Sequence, residues 1–379
     1  MKGVYDAAVT VRNDRRSGFL ATPSAARPED APASAPLAPE SGGDGSTGVD
    51  PLSDVLRGVR LTAAVFFRIE ARAPWVIGLP DGATIARSVT PRAQHVISYH
   101  VVTDGSCWGG VPGETPVSLA AGDVLVLPHG DPYVMSLSRD LEGGPDHAEV
   151  LGFLAAMSAG RLPFTVTEDG GGPERLQLVC GFLGCDVRPF NPLLATLPRL
   201  LCVRRTGSMA DDPLEKLVEF TIAESRDRRA GGECVRLRLG ELMFVEVVRR
   251  HLATLPPEQR GWLAGLRDPV VGRALALLHE RPAHPWTLEQ LARDSGASRS
   301  VLAERFTHFV EDPPMQSLTR WRMQIAARLL AESASKVSAV AREVGYDSEA
   351  AFSRAFKKAA GVPPATWRQR HAARVVGTR

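Results

Sequence analysis

The sequence predicts a multidomain α+β protein: a barrel or sandwich of short strands, a helical segment, and an all-α C-terminal part. Three observations predict it. The chain has 379 residues, more than a single hydrophobic core supports, since cores stop growing near ~250–300 residues. Apolar residues recur in short, turn-bounded runs up to about Arg204 and at helical spacing after about Met209, a switch from strand to helix period. The last 112 residues contain an internal repeat at an offset of 49 to 50.

The N-terminal stretch 1–50 stands apart. Within Ala21–Asp50, 20 of 30 residues are Ala, Pro, Ser or Gly. Such a segment buries too little apolar surface to offset its ordering entropy, so it is expected to be disordered. It also lacks the apolar stretch of an export signal. Five cysteines without such a signal point to a reducing, cytoplasmic setting. Apolar residues at 44% and charged residues at 23% are ordinary globular composition. No run reaches the ~18 apolar residues of a membrane helix, so no membrane partner is expected.

From 51 to 204 the β-rich pieces are Val65-Phe67-Ile69, Val96-Ile97-Tyr99-Val101, Val117-Leu119 and Val124–Leu127. Pro80-Asp81-Gly82, Asp104-Gly105 and Ala121-Gly122-Asp123 separate them. Regularly spaced short strands read as a barrel or sandwich. The segment 205–267 is helical. Leu214, Leu217, Val218, Thr221 and Ile222 mark one helix face, and a second helix is expected over Glu233–Ala253. Leu242–Val245, Val247 and Val248 leave that helix little polar surface, so it is covered on more than one side. Packing on its own barrel and a homodimer seam both account for this.

The domain 268–379 holds the repeat. Ala292 and Gly296 correspond to Ala341 and Gly345, and Leu302 and Phe306 to Phe352 and Phe356. A small residue four before a turn glycine lets two short helices approach closely, and the glycine supplies a positive φ. Ser298, and Asp347 or Ser348, supply cap oxygens for the next helix, which two large apolar residues anchor. The pattern is a helix-turn-helix, present twice. Between the copies, Leu318, Trp321, Ile325 and Leu329 mark a linker helix from about Pro314 to Glu332. The domain carries 17 Lys and Arg against 11 Asp and Glu, a net of +6, whereas the rest of the chain is −4. A basic module on an acidic body points to nucleic acid. Two recognition helices on one side of B-DNA enter major grooves ~34 Å apart.

Asp268–Gln369 resembles the AraC-type family of bacterial transcription regulators. The matching words are Trp286-Thr-Leu-Glu-Gln-Leu-Ala, Ser298-Arg-Ser-Val-Leu, Trp321-Arg-Met-Gln-Ile-Ala, Val344-Gly-Tyr-Asp-Ser-Glu-Ala-Ala-Phe-Ser-Arg-Ala-Phe-Lys-Lys, and Gly361-Val-Pro-Pro-Ala-Thr-Trp-Arg. The resemblance implies a sequence-specific regulator of transcription that binds double-stranded DNA. As an activator it would also meet RNA polymerase. The base-reading positions it implies are Arg299, Ser300, Ala303 and Glu304, then Glu349, Ala350, Ser353 and Arg354. Arg354 suits bidentate guanine readout. Lys357 and Lys358 suit phosphate. Glu304 and Glu349 either accept from cytosine N4 or cap and solubilise their helices. One departure is Glu311-Asp312, where the family usually carries glycine after the first recognition helix; a non-glycine left-handed cap costs about 1 kcal/mol.

Gly122-Asp-Val-Leu-Val-Leu-Pro128-His-Gly130-Asp-Pro-Tyr133 is similar to the second signature of the cupin barrel, a double-stranded β-helix. Pro51–Val203 as a whole resembles the cupin-like sensor half of one branch of the same regulators, as do Cys180–Cys185 and Asn191–Pro198. This implies that a small molecule, a metal or a redox signal is sensed there. The rival reading is a metal-dependent cupin enzyme with an appended DNA-binding module. It needs histidines and a glutamate converging on one ion. Here Tyr133 stands at the second-signature histidine, and the first signature keeps only His100, so no enzyme activity is expected. Cys107, Cys180 and Cys185, together with His100 and His129, are candidates for a zinc or redox site. Buried, inert cysteine is the competing reading.

Overall fold

The computed structural model describes residues 50–372, apart from 59–60, 92, 94, 140, 142–145, 186–191, 206–211, 228 and 257. The N-terminal segment expected to be disordered lies outside the described residues, save for Asp50. A short helix α1 (Pro51–Gly58) leads into β1 (Leu61–Arg72), β2 (Val76–Leu79), helix α2 (Gly82–Val89), β3 (His95–Gly110), β4 (Val117–Ala120), β5 (Val124–Leu127) and β6 (Tyr133–Ser136). Helix α3 (His147–Ser158), β7 (Thr165–Asp169), β8 (Arg175–Cys185), helix α4 (Pro192–Thr196) and β9 (Leu201–Val203) follow.

The strands form a curled, cupin-like half-barrel whose spine is β3. This strand pairs antiparallel with β8 from His95↔Cys185 to Gly105↔Leu176, with a register shift between Val102 and Asp104. Its first half also pairs with β5 and its second half with β4 and β6. An irregularity midway through a long strand bends it, which lets one strand serve both edges of the curl. On the far side of β8 lies β1, and β7 runs parallel to β1.

Both faces of the curl are covered, which explains why these strands read as continuous apolar runs. Along β8, Leu176, Leu178, Cys180 and Phe182 face the barrel interior with Phe67, Ile69, Leu125 and Met135. Val179, Leu183 and Cys185 face outward with Phe66, Tyr99, Val124 and Val126.

Helices α5 (Pro213–Arg226) and α6 (Gly232–Thr254) cover that outer face. Asp212 caps α5 by accepting from Leu214 N at 2.8 Å, and it ion-pairs with Arg250 of α6. Gly240 lets α6 approach the sheet: a Cβ there would stand 2.9 Å from Leu183 Cδ2. The apolar character of α6 is largely spent on its own barrel, through Met243, Phe244, Val247 and Val248. Leu242 on α6 and Phe220 on α5 point outward, 53% and 54% exposed.

The remainder is helical: α7 (Trp262–Arg267), α8 (Pro269–Glu280), α9 (Leu288–Asp294), α10 (Arg299–Val310), α11 (Pro314–Glu332), α12 (Val337–Glu343), α13 (Glu349–Ala360) and α14 (Pro364–Ala372). Among the described residues the buried side chains form three clusters. One fills the barrel. A second runs from the outer barrel face through α5, α6 and α7 into the first helix-turn-helix, down to Leu302, Phe306, Leu318 and Trp321. The third serves the second helix-turn-helix and holds Met323, Leu330, Val340, Phe352, Phe356 and Trp367. The first unit therefore shares a core with the sensor half, whereas the second has its own. No described helix is long and apolar enough to cross a membrane.

Candidate nucleic-acid interface

Helices α9 and α10 form the first helix-turn-helix, α12 and α13 the second. Ala292 and Ala341 are buried where each pair crosses. Gly296 and Gly345 leave the first helix of each pair at φ +77° and +83°, a region that favours glycine. Gly345 answers a second demand, because a Cβ there would meet Ala283 O at 2.6 Å. Ser298 and Ser348 cap the recognition helices by accepting from Val301 N and Ala351 N, both at 3.3 Å; of Asp347 and Ser348, the serine is the cap. Leu302, Phe306, Phe352 and Phe356 are wholly buried and fix the inward faces.

The opposite faces are polar and open. Arg299, Ser300 and Glu304 are exposed on α10, with Ala303 half-buried between them. On α13, Glu349, Ala350 and Arg354 are exposed and Ser353 is half-buried. Each group follows an i, i+1, i+4, i+5 stripe, the geometry of one helical face. Lys357 extends the second stripe by a turn, and Lys358 stands beside it, both exposed. Arg299 reaches Glu289 of α9 at 2.9 Å, a contact between two largely exposed side chains, which is weak and readily exchanged for another anion.

Helix α11, 19 residues long, spans about 28 Å at 1.5 Å per residue. Its N-terminal half packs Leu318 and Trp321 against the first unit, and its C-terminal half packs Ala326, Ala327 and Leu330 against the second. Arg322 locks the two together. Its Nε donates to Pro282 O at 2.6 Å and its Nη2 to His284 O at 2.8 Å, both before α9. Its Nη1 reaches Gly345 O at 3.4 Å, in the second turn. Arg305 of α10 likewise donates to Asp268, the cap of α8. Burial would raise the Asp268 carboxyl, but the Arg305 and backbone hydrogen bonds outweigh it and hold the group below the ordinary carboxylate range. Sequence reasoning missed both arginines. The partners of Arg322 are backbone carbonyls, which have no sequence signature.

The two copies differ after their recognition helices. Gly361 closes α13 at φ +74°, whereas Glu311 closes α10 at φ +62°. Among the described residues Glu311 is the non-glycine residue with positive φ.

The structure gathers part of the cysteine and histidine candidate set: Cys107, Cys180 and His100 share the barrel interior, with His100 opposite Cys180 in the β3–β8 register, whereas Cys185 and His129 lie elsewhere. Cys180 faces the barrel interior and Cys185 the outer core, because an odd separation along a strand places side chains on opposite faces. The candidate Cys180/Cys185 pair is therefore split between the two faces of β8. Burial pushes the Cys107 thiol up to about 12 and raises that of Cys180 as well, which removes the reactive thiolate. His100 Nε2 and the Tyr133 hydroxyl pair at 2.5 Å inside the barrel, and burial pushes the imidazole down to about 3. His129 Nε2 bonds instead to Leu197 O at 2.8 Å. No group of three His, Cys, Asp or Glu among the described residues is placed to hold a metal ion.

A capped, twice-repeated helix-turn-helix on a curled β-sensor defines a two-part, DNA-binding transcription regulator. A cupin family matches residues 50–253, and a helix-turn-helix domain family matches residues 291–370. The chain is 33% identical over 330 residues to a putative AraC-like transcription regulator of Streptomyces lividans, covering 85% of this chain and 98% of that protein. It is 26% identical over 334 residues to the HTH-type transcriptional regulator AlkR of Acinetobacter baylyi, covering 85% and 99%. A solved DNA-binding transcriptional dual regulator from Escherichia coli K-12 is 29% identical over 28% of this chain and 96% of that one, with a TM-score of 0.27. The chain belongs to the AraC-type family of transcription regulators.

Proposed function

We propose that this regulator reads a bipartite duplex site, with α10 and α13 in successive major grooves, under the control of an effector bound by the sensor half. The observation that carries this reading is the pair of matched polar stripes, held at one spacing by α11 and Arg322. Arg354 reads guanine and Lys357 and Lys358 hold phosphate. Arg299, Ser300, Ala303, Glu304, Glu349, Ala350 and Ser353 meet base edges. The protein works in the cytoplasm as a homodimer through the outward face carrying Phe220 and Leu242. Where it activates transcription, RNA polymerase is a further partner.

Selection from random duplex DNA with the full chain at near-physiological salt tests this. Paired motifs one helical turn apart are expected. Arg354→Ala should relax preference at one position, at about 1–3 kcal/mol. Lys357→Ala should weaken all sequences alike and lower the salt slope by about one. Absence of enrichment, or of a second motif, would overturn the bipartite reading.

A further inference from the structure

The barrel interior is already full. Its residual cavity is about 10 Å³, among Phe67, Trp75, His100, Leu154 and Cys180, at the lower limit for a single water. Small-molecule sites run to ~300–1,000 Å³. A cleft of about 330 Å³ lies instead at the seam between the halves, with Thr196 of α4 and Trp262 of α7 on one side and α8, the end of α10 and α11 on the other.

Its walls are aromatic and its open side is acidic. His279 stacks on Trp321 at 4.1 Å and 24°, with Trp262 at 6.0 Å. Trp321 is nine-tenths buried, and its indole N–H finds no hydrogen-bond partner. At the mouth, Asp312 ion-pairs with Arg320 at 2.5 Å, and Glu311 adds a second carboxylate. This is the same Glu311 whose backbone sits at φ +62° where the second copy uses glycine. Strain of this kind persists at sites where the side chain serves a purpose. Indole faces and an excess carboxylate attract positive charge.

We infer that this seam cleft is the effector site and that it takes a one- or two-ring aromatic cation, with Trp262, Trp321 and His279 against the rings and Glu311 and Asp312 facing the charge. The inference deepens the proposed function by giving its effector a place and a chemical class. A ligand here touches sensor and first helix-turn-helix together, so it prefers one arrangement of the two and shifts their equilibrium. His279 reports on that arrangement, because its Nδ1 lies 3.7 Å from Asp54 of α1.

Isothermal titration of the full chain with 1-naphthylmethylammonium, 1-naphthylmethanol and 1-naphthylacetate tests it, the three sharing one ring system with positive, neutral and negative heads. The cation should bind one per chain and at least tenfold more tightly than the anion. Glu311→Gly, which relieves the backbone and so preserves folding, should weaken the cation at least fivefold. Ser317→Trp, which fills the cleft, should abolish binding while circular dichroism stays unchanged. No heat with any of the three at millimolar concentration, equal affinity for cation and anion, or undiminished binding by either variant would overturn the inference. Duplex selection with unliganded protein is run alongside. Its failure overturns the regulator mechanism, whereas titration reads the cleft without DNA.

Discussion

Phe356→Ala should unfold the second helix-turn-helix and leave the first intact. Phe356 is wholly buried, 5.6 Å from Phe352 and 6.0 Å from Trp367 between ring centres. Its cluster is the smallest of the three and does not continue into the sensor half. Truncating a buried phenylalanine costs about 3–5 kcal/mol in lost transfer energy and cavity. At ~0.05–0.15 kcal/mol per residue, a unit of about forty residues holds only some 2–6 kcal/mol of its own. The truncation therefore removes most or all of it. Phe306→Ala costs a similar amount, but in a core continuous with the outer barrel face, where the loss is spread over a larger cooperative unit. Hydrogen exchange read by mass spectrometry separates the two. In Phe356→Ala, peptides from α12 to α14 should lose protection while α9 and α10 keep theirs, and a DNA footprint should shrink to one half-site. Uniform loss across both units, or none, would refute the division into shared and independent cores.

Three further predictions follow from contacts already described. Arg322→Ala should leave secondary structure intact yet weaken the two-motif site about tenfold, while binding to either half-site alone stays within twofold; equal loss on half-sites would show that Arg322 acts on folding and not on spacing. Leu242→Glu should break the proposed homodimer and halve the sedimenting mass at micromolar concentration, and an unchanged mass would refute a seam through this face. Stability should fall as pH drops below ~6.5: His100 titrates near 3 when folded, and burial also lowers His95, His251 and His279. Between those values the unfolded chain binds protons that the folded chain refuses, at about 1.4 kcal/mol per pH unit for each fully suppressed histidine. Denaturant midpoints at pH 7.5, 6 and 5 measure this, and His100→Gln should shallow the slope.

The helix-turn-helix units were legible because their constraints are local. Alanine before glycine, serine before the recognition helix and two large apolar residues four apart all lie within one short window, and each does what its spacing requires. The expected linker helix coincides with α11 for the same reason, since a proline opens it and one apolar face runs its length. Strands β1, β3, β4 and β5 contain the predicted β-rich runs. What escaped was long-range. Residues Cys180 and Cys185 look paired in sequence, and only the strand geometry parts them. The apolar excess of α6 left barrel packing and a dimer seam open; Gly240 against Leu183 shows the first, while Leu242 keeps an outward face for the second. Glu311 was visible as an exception to glycine, but its place at the cleft depends on α11 folding back beside it.

The unequal attachment of the two units bears on how a signal would travel. A change at the seam moves α8 and α10 directly, because Trp262, His279 and Trp321 belong to both sides of it. The second unit touches the sensor core through neither its own cluster nor its caps, so it follows as α11, Arg322 and the close approach of Gly345 to Ala283 carry it. Control of the first unit's pose relative to the sensor would then set the pose of both recognition helices at once, with their mutual spacing preserved. Loosening α11 would break that economy: the second helix could still find its half-site, but the effector would no longer govern it. In a protein with Arg322→Ala, ligand should therefore change affinity for the first half-site as before and lose its effect on the second. Equal effector response at both half-sites in that variant would mean that the signal reaches the second unit by another route.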